Sequence, residues 1–445
     1  MRPLAPGALA ALALAAASAG VRGEDLVQVY RDAVAYDAVY SSARNSYEAG
    51  KERVPQGRAL LLPTLNLSAN STRTQFDVEA KTTTPGTSFN RPFTNNNYTL
   101  NFAQPLYRPQ NLAQYNQADF QFRQAEATFG QAGQDLGVRV AQAYFDVLAA
   151  QDSLDLVGAQ KAAISEQLAQ AKRNFEVGTA TITDTHEAQA RYDLIISQEI
   201  AAQNDLANKR QSLQLITGKE YAHLAPLRPD VKLAPPNPNV MQSWVDLAEK
   251  QSYNVQLQEA AAEVARIEMS KQSAGHKPTL DFVASYGQTA ESATAVSAFG
   301  RDTTTQVFGL QLAVPLYAGG SVSSREREAA ANYNKARDDL ANAKRSAALS
   351  ARQSYVSVVN GVAQVGALEQ ALVSSQSALD SNRLGYEVGV RINIDVLNAQ
   401  QQLFSARRDL AVARYNTITS QLKLKAAAGS LREEDIQEIN RVLAR

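Results

Sequence analysis

Phe175-Glu176-Val177-Gly178 returns about 211 residues later as Tyr386-Glu387-Val388-Gly389, and the organisation of the whole chain can be worked outward from that return. Pro63-Thr64-Leu65 recurs as Pro278-Thr279-Leu280, and Pro105-Leu106-Tyr107 as Pro315-Leu316-Tyr317. Asp184 and Gly218 recur as Asp395 and Gly429. The landmarks keep their order with little drift, which chance similarity would not do, so the chain is internally duplicated. A proline-rich stretch, Pro226 to Pro238, separates the halves as a linker.

Each half predicts a helix, two strands, a long helix, a turn and a second helix. Asp25 to Gly57 and Met241 to Ala274 are alanine-rich and helix-prone. The strands follow. Leu65, Leu67 and Ala69 alternate with polar residues, as do Tyr98, Leu100 and Phe102. The second half repeats this with Leu280, Phe282, Ala284 and Tyr286, then Phe308, Leu310, Leu312 and Val314. Period-two stripes of about ten residues, one face apolar and the other small or polar, suit a transmembrane β-strand; a single stripe also suits an ordinary sandwich strand. Residues 76–96 and 290–304, rich in Thr, Ser, Asn and Gly, read as outer loops.

Asn111 to Glu176 contains no proline, and apolar residues from Phe129 and Leu136 through Tyr144, Val147 and Leu154 to Phe175 recur at steps of three, four and seven. That is the stripe of helices packed side by side, and such a helix is a rod of roughly 100 Å. Ser324 to Glu387 repeats it with Tyr333, Leu340, Tyr355, Leu372 and Leu379. Return helices follow at about 183–217 and 393–428, and Gly178 and Gly389 mark the turns between.

Composition removes several functions. Lys+Arg and Asp+Glu total 44 each, so the chain is formally neutral and shows none of the basic excess of a nucleic-acid binder. With no cysteine there is no disulfide, thiolate metal site, cysteine nucleophile or lipid-modified N-terminal cysteine. His186, His223 and His276 are far apart and read as surface or packing residues. Paired acids such as Asp338-Asp339 and Glu433-Glu434 read as solvated helix faces. No GxSxG elbow, phosphate-binding glycine loop or HExxH occurs, so neither an enzyme nor a cofactor or metal site is expected. At the N-terminus, Arg2 and the Ala/Leu run from Ala8 to Ala17 read as a signal peptide over 1–23, cleaved after Ala19 or Gly23; a retained anchor is the alternative. No later segment has 18 consecutive apolar residues, so no helical membrane span is expected.

Four strands cannot close a barrel, which takes about eight. An open sheet in lipid leaves backbone groups unpaired at several kcal/mol each. Several copies must therefore contribute, and three give twelve strands. In this setting the chain resembles the outer membrane efflux protein family, the channel-tunnels of the TolC type. The likeness is carried by Glu24-Asp25-Leu26-Val27-Gln28-Val29-Tyr30, Leu61-Leu62-Pro63-Thr64-Leu65, Ala143-Tyr144-Phe145-Asp146-Val147-Leu148 and Ile182-Thr183-Asp184. It continues through Val314-Pro315-Leu316-Tyr317-Ala318-Gly319-Gly320 and Asp395-Val396-Leu397, together with the two turn motifs.

The resemblance implies an α+β membrane protein: a homotrimer whose twelve-stranded outer-membrane β-barrel, four strands per chain, continues into a twelve-helix periplasmic barrel. Residues 24–225 would form the first repeat, with strands near 64–76 and 97–106 and long helices over 110–217. Residues 226–239 would form an equatorial linker. Residues 240–430 would form the second repeat, with strands near 279–289 and 305–315 and long helices over 320–428; residues 431–445 would complete the equatorial layer. The implied function is a passive exit duct for tripartite drug efflux or type I secretion. The implied partners are a periplasmic adaptor (membrane fusion protein), an inner-membrane RND or ABC pump and outer-membrane lipid.

By the same resemblance, residues 380–398 form a movable inner coil that closes the periplasmic end. Tyr386 and Arg391 would tie it to the neighbouring outer coil near Thr183 and Asp184, with Arg414 linked toward Gln167. Asp395 would face the pore, and threefold symmetry would make a ring of three carboxylates that selects cations. The family pattern has a second Asp where this chain has Asn398. A half-charged ring predicts weaker cation preference, weaker multivalent-cation block and tighter closure. A periplasmic adaptor and a soluble coiled-coil scaffold are the competing readings, since both use long helical hairpins. Neither needs two pairs of amphipathic strands.

Overall fold

The computed structural model describes residues 23–78, 89–179, 181–293 and 299–444. The signal-peptide segment 1–22 and parts of both outer loops lie outside the described residues. Ten α-helices and four strands are described: α1 (Leu26–Tyr36), α2 (Ala38–Lys51), α3 (Arg53–Ala59), β1 (Thr64–Val78), β2 (Phe89–Tyr107), α4 (Pro109–Glu176) and α5 (Ile182–Thr217). The same succession returns in α6 (Met241–Gln251), α7 (Tyr253–Ser273), β3 (Thr279–Glu291), β4 (Arg301–Ala313), α8 (Ser321–Glu387) and α9 (Asn393–Ala427), followed by α10 (Glu433–Asn440). The chain divides into two compact units, one of residues 46–127 and 256–342, the other of 1–45, 128–255 and 343–445.

The first unit holds the sheet, antiparallel in the order β1-β2-β3-β4. Its register puts the predicted stripes on one face: Leu65 lies opposite Phe102, Leu67 opposite Leu100 and Ala69 opposite Tyr98. Phe102 and Leu100 in turn face Ala284 and Tyr286, and Ala284 faces Phe308. Leu67, Phe308, Leu310 and Leu312 are between 64% and 73% exposed, so this apolar face has no cover within the chain. The other face carries Asn66, Ser68, Thr99, Asn101, Ser285 and Gly287. Strands β1 and β4 are both edges, with a backbone row each left for a neighbour. The strands run further than the sequence predicts, β2 beginning at Phe89 and β4 at Arg301. The Thr- and Asn-rich segments read as loops are in part strand, because a ladder partner overrides their low apolar content. Beyond the sheet, the nearly buried Asp281 of β3 receives two hydrogen bonds from Arg108, fixing the step from β2 into α4.

The second unit is built around Tyr144 and Phe145, both fully buried, with Leu26, Val29, Leu136, Val140, Leu213, Ile418 and Leu422. Tyr144 donates its hydroxyl to the carbonyls of Glu24 (3.1 Å) and Ala225 (2.8 Å), pinning the chain start and the linker to α4. The linker pairs with the C-terminal segment at Leu227 and Leu443, and the Ala444 amide donates to the Pro226 carbonyl. The helix expected over 25–57 is broken at Asp37, whose carboxylate accepts from the Tyr40 amide at 2.7 Å and so starts α2. Burial alone would raise the Asp37 carboxyl, but two hydrogen bonds from Arg139 and the Tyr40 amide hold it below the usual carboxylate range. The helix expected over 241–274 breaks at the matching place, Ser252. One window of α8 is long and apolar enough to cross a membrane, by length and composition alone, with mean hydropathy 1.3. Its alanines and valines raise hydropathy without a continuous apolar run, which a count of consecutive residues misses.

Two predictions concern this unit. Gly429 follows α9 at φ 74°, and a Cβ there would run into the Gln251 carbonyl. Gly429→Ala is expected to cost at least about 1–3 kcal/mol from backbone strain alone, before the clash is relieved; the guanidinium unfolding midpoint reads it.

Asp152 on α4 accepts the Tyr415 hydroxyl of α9 at 2.6 Å. Burial raises the Asp152 carboxyl, the Tyr415 hydrogen bond pulls it down in part, and the Asp155 charge raises it again. A carboxyl raised in the fold favours the fold fully below its unfolded value, and that contribution is lost as pH rises through the folded value. Asp152→Asn keeps an acceptor for Tyr415 without the buried charge. The wild type is therefore expected to lose stability relative to the variant as pH rises from about 4, and unfolding midpoints across that range measure the loss.

Candidate functional site

The two hairpin turns are built alike. After α4, Gly178 takes φ 76° and the Thr179 amide returns to the Asn174 carbonyl; after α8, Gly389 takes φ 78° and the Val390 amide returns to the Gly385 carbonyl. Both glycines have open space around them, so the turn conformation itself calls for glycine. Each hairpin packs its own tip. Leu168, Ala171 and Ala188 fill the α4–α5 tip, while Leu379, Val396, Ala399 and Leu403 fill the α8–α9 tip with Tyr386 against them. The hairpins share a smaller apolar cluster, Ile164, Ile195 and Leu397.

Polar contacts join them nearer the turns. Asn174 of α4 donates to the Tyr386 hydroxyl oxygen at 3.3 Å. Gln167 of α4 donates to Asn393, the first residue of α9, at 2.9 Å. Both amides are buried, and Gln167 Oε1 and Asn393 Nδ2 have no further partner among the described residues. Arg191 of α5 donates to Asn398 at 2.9 Å and to Gln401 at 2.6 Å.

Several expected pairings differ within the chain. Within the chain, among the described residues, Tyr386 meets Asn174 and has no hydrogen bond to Asp184. The Asp184 Oδ2 closes the capping box of α5, accepting from the Thr181 amide (2.9 Å) and hydroxyl (2.8 Å) while Thr181 accepts from the Asp184 amide. Thr183 lies inside that first turn, and the structure gives it no link to Arg391. Arg391 instead lies 3.7 Å from Asp395, one helical turn along its own hairpin. Both are partly exposed, so the pair is worth about 1 kcal/mol or less. Arg414 does not reach Gln167 but pairs with Glu369 of α8 at 2.7 Å, inside the inner hairpin. Asn398, the uncharged position of the expected ring, accepts from Arg191 within the chain. Asn174, Arg191, Glu369, Asn393 and Gln401 are the partners that sequence reading missed. The one available signal was Asn398 itself, a neutral residue where the resemblance implies a charge. Among the described residues no group of His, Asp and Glu could hold a metal ion.

A sheet with one bare apolar face and two open edges, carried with paired long-helix hairpins, is the protomer of a membrane channel that closes only in company. The chain belongs to the outer membrane efflux protein family, matching it over residues 29–219 and 244–430. It is 34% identical to the outer membrane protein TolC of Vibrio cholerae, over 96% of each chain. It is 32% identical to the alkaline protease secretion protein AprF of Pseudomonas aeruginosa, over 93% of this chain and 86% of that one. Its fold is that of the solved transmembrane channel CusC, with TM-score 0.78 and 16% identity over 92% of both chains. The protein is thus an outer-membrane channel of the TolC kind. Channels of this kind are homotrimers that work with periplasmic adaptors and inner-membrane pumps. The adaptor and scaffold readings fall away.

Proposed function

We propose that this channel is a passive exit duct for both drug efflux and type I secretion, without catalytic activity of its own, closed where its helical hairpins turn and opened by movement of the α8–α9 hairpin. The observation that carries the closure is the pattern of contacts at the tips. Each hairpin has its own apolar packing, while a small shared cluster and a handful of hydrogen bonds hold one to the other. A hairpin packed within itself and tied outward by exchangeable polar contacts can swing without unfolding. Asp395, in the first turn of α9, is the entrance carboxylate in this reading, and the tips near 176–184 and 387–395 are where an adaptor docks. The division into a 1–23 signal, repeats over 24–225 and 240–430, a 226–239 linker and a 431–445 tail accompanies the proposal.

Cargo is supported by the relatives, which include an efflux-channel family and a protease secretion protein. Expression in a host lacking its own outer-membrane duct tests this. Restored resistance to a toxic dye together with restored export of a type I secretion substrate is the expected result. Restoration of neither, with trimers present in the outer membrane, would overturn the duct reading.

A further inference from the structure

Arg191 is the least expected side chain at the tips. Its guanidinium sits on two neutral acceptors of one face of α9, Asn398 and Gln401, three residues apart. A planar fork suits two acceptors held by a rigid helix, and lysine would serve only one of them well. Because both acceptors are amides, the hydrogen bonds leave the positive charge uncompensated. Asp395 stands one helical turn before Asn398 and already has Arg391 at 3.7 Å. Each protomer therefore sets two guanidinium groups and one carboxylate along the first turns of α9, Arg391 beside Asp395 and Arg191 on Asn398 and Gln401. A carboxylate ring that stood alone would attract cations strongly. Here Arg391 lies 3.7 Å from Asp395 and Arg191 is held one helical turn along α9, and their positive charge offsets the ring.

We propose that Arg191 is a specificity-determining residue of the channel: it clamps α5 to α9 within each protomer, and it balances the Asp395 ring so that the entrance is only weakly ion-selective and admits anionic cargo. The proposal rests on the reading of the tips as the entrance. It also changes the account of Asn398. The neutral residue is the acceptor that lets Arg191 bind without being neutralised, as well as the absence of a second acid.

Single-channel recording of the full-length trimer under a salt gradient tests this, with a trivalent cation added on the side of the tips. Wild type is expected to show a reversal potential near zero and weak block. Arg191→Gln is expected to shift the reversal potential in the cation-selective direction and tighten block several-fold. Arg191→Lys keeps the charge but loses one prong, so it is expected to retain weak selectivity while conducting more in the resting state. Arg191→Gln with Asn398→Asp is expected to give the strongest cation preference. Arg191 is half-buried, so retention of the trimer on gels controls for folding and assembly. If channels form and Arg191→Gln leaves both reversal potential and block as in wild type, Arg191 does not set selectivity and the duct reading stands. If well-folded wild type forms no channels, the duct reading fails and the Arg191 proposal with it.

Discussion

Trimers carrying Asn393→Ala together with Tyr386→Phe are expected to conduct far more current than wild type at rest. In the structure the Gln167 amide is buried and donates to Asn393, and the proposed gate takes this as the closed arrangement. Removing Asn393 leaves that donor desolvated and unsatisfied, which costs about 1–3 kcal/mol when the hairpin is closed and nothing once water reaches it. Tyr386→Phe takes away the acceptor used by Asn174, worth about 1 kcal/mol. A combined bias of about 2–4 kcal/mol in each protomer multiplies that protomer's open population by roughly thirtyfold or more. Gln167→Leu with Asn393→Leu is the informative companion. It replaces both amides by apolar groups, so no polar atom is stranded and the closed state is expected to be nearly recovered. Arg414→Ala is expected to leave resting conductance almost unchanged, since its Glu369 partner lies on the same hairpin. Resting currents in planar bilayers separate these outcomes.

The second large effect concerns the sheet. Leu67→Arg is expected to abolish stable assembly in the outer membrane, whereas Ser68→Arg, one residue away, is tolerated. Leu67 is 73% exposed on the face shared with Leu100, Tyr286 and Phe308. Arginine on the lipid side costs about 2–4 kcal/mol near the bilayer midplane, and a threefold assembly meets that cost in each chain. Ser68 points to the opposite, polar face, where the same charge meets water. Outer-membrane fractionation and the yield of heat-stable trimer distinguish the two substitutions.

The contrast between neighbouring residues also shows why so much of this fold is legible in sequence. A period-two stripe assigns Leu65, Leu67, Tyr98, Leu100, Phe308 and Leu310 to one face without knowledge of any partner strand, and the ladder registers place them there together. The duplication supplied the hairpins, because Gly178 and Gly389 each end a long helix in a left-handed turn. The breaks at Asp37 and Ser252 were not legible. A capping carboxylate and a single extended residue leave the helical composition on either side intact. Strand ends are hard to read for the converse reason: Thr94 to Asn96 look like a loop until Ser71 to Arg73 and, from β3, Ala290 and Glu291 pair with them.

The tip contacts divide along the same line. Tyr386, Gln167 and Asp395 could be named as residues near the joint, but their partners could not. Which oxygen a hydroxyl or amide meets depends on competition for acceptors. Within the chain Asp184 Oδ2 accepts from the Thr181 amide and hydroxyl at the start of α5, a local contact that the spacing of Tyr386 and Asp184 does not reveal. Arg191 carried no pattern at all. It is one basic residue on a mixed helix face, and only the position of Asn398 and Gln401 across the gap gives it a role.

The claim beneath all of this is that three chains close one barrel through the free edges of β1 and β4. Native mass spectrometry of the protein extracted from outer membranes in mild detergent tests it most directly. The account predicts a single species of three chains that separates into one only on heating. A folded, membrane-extracted monomer with an intact sheet would contradict it.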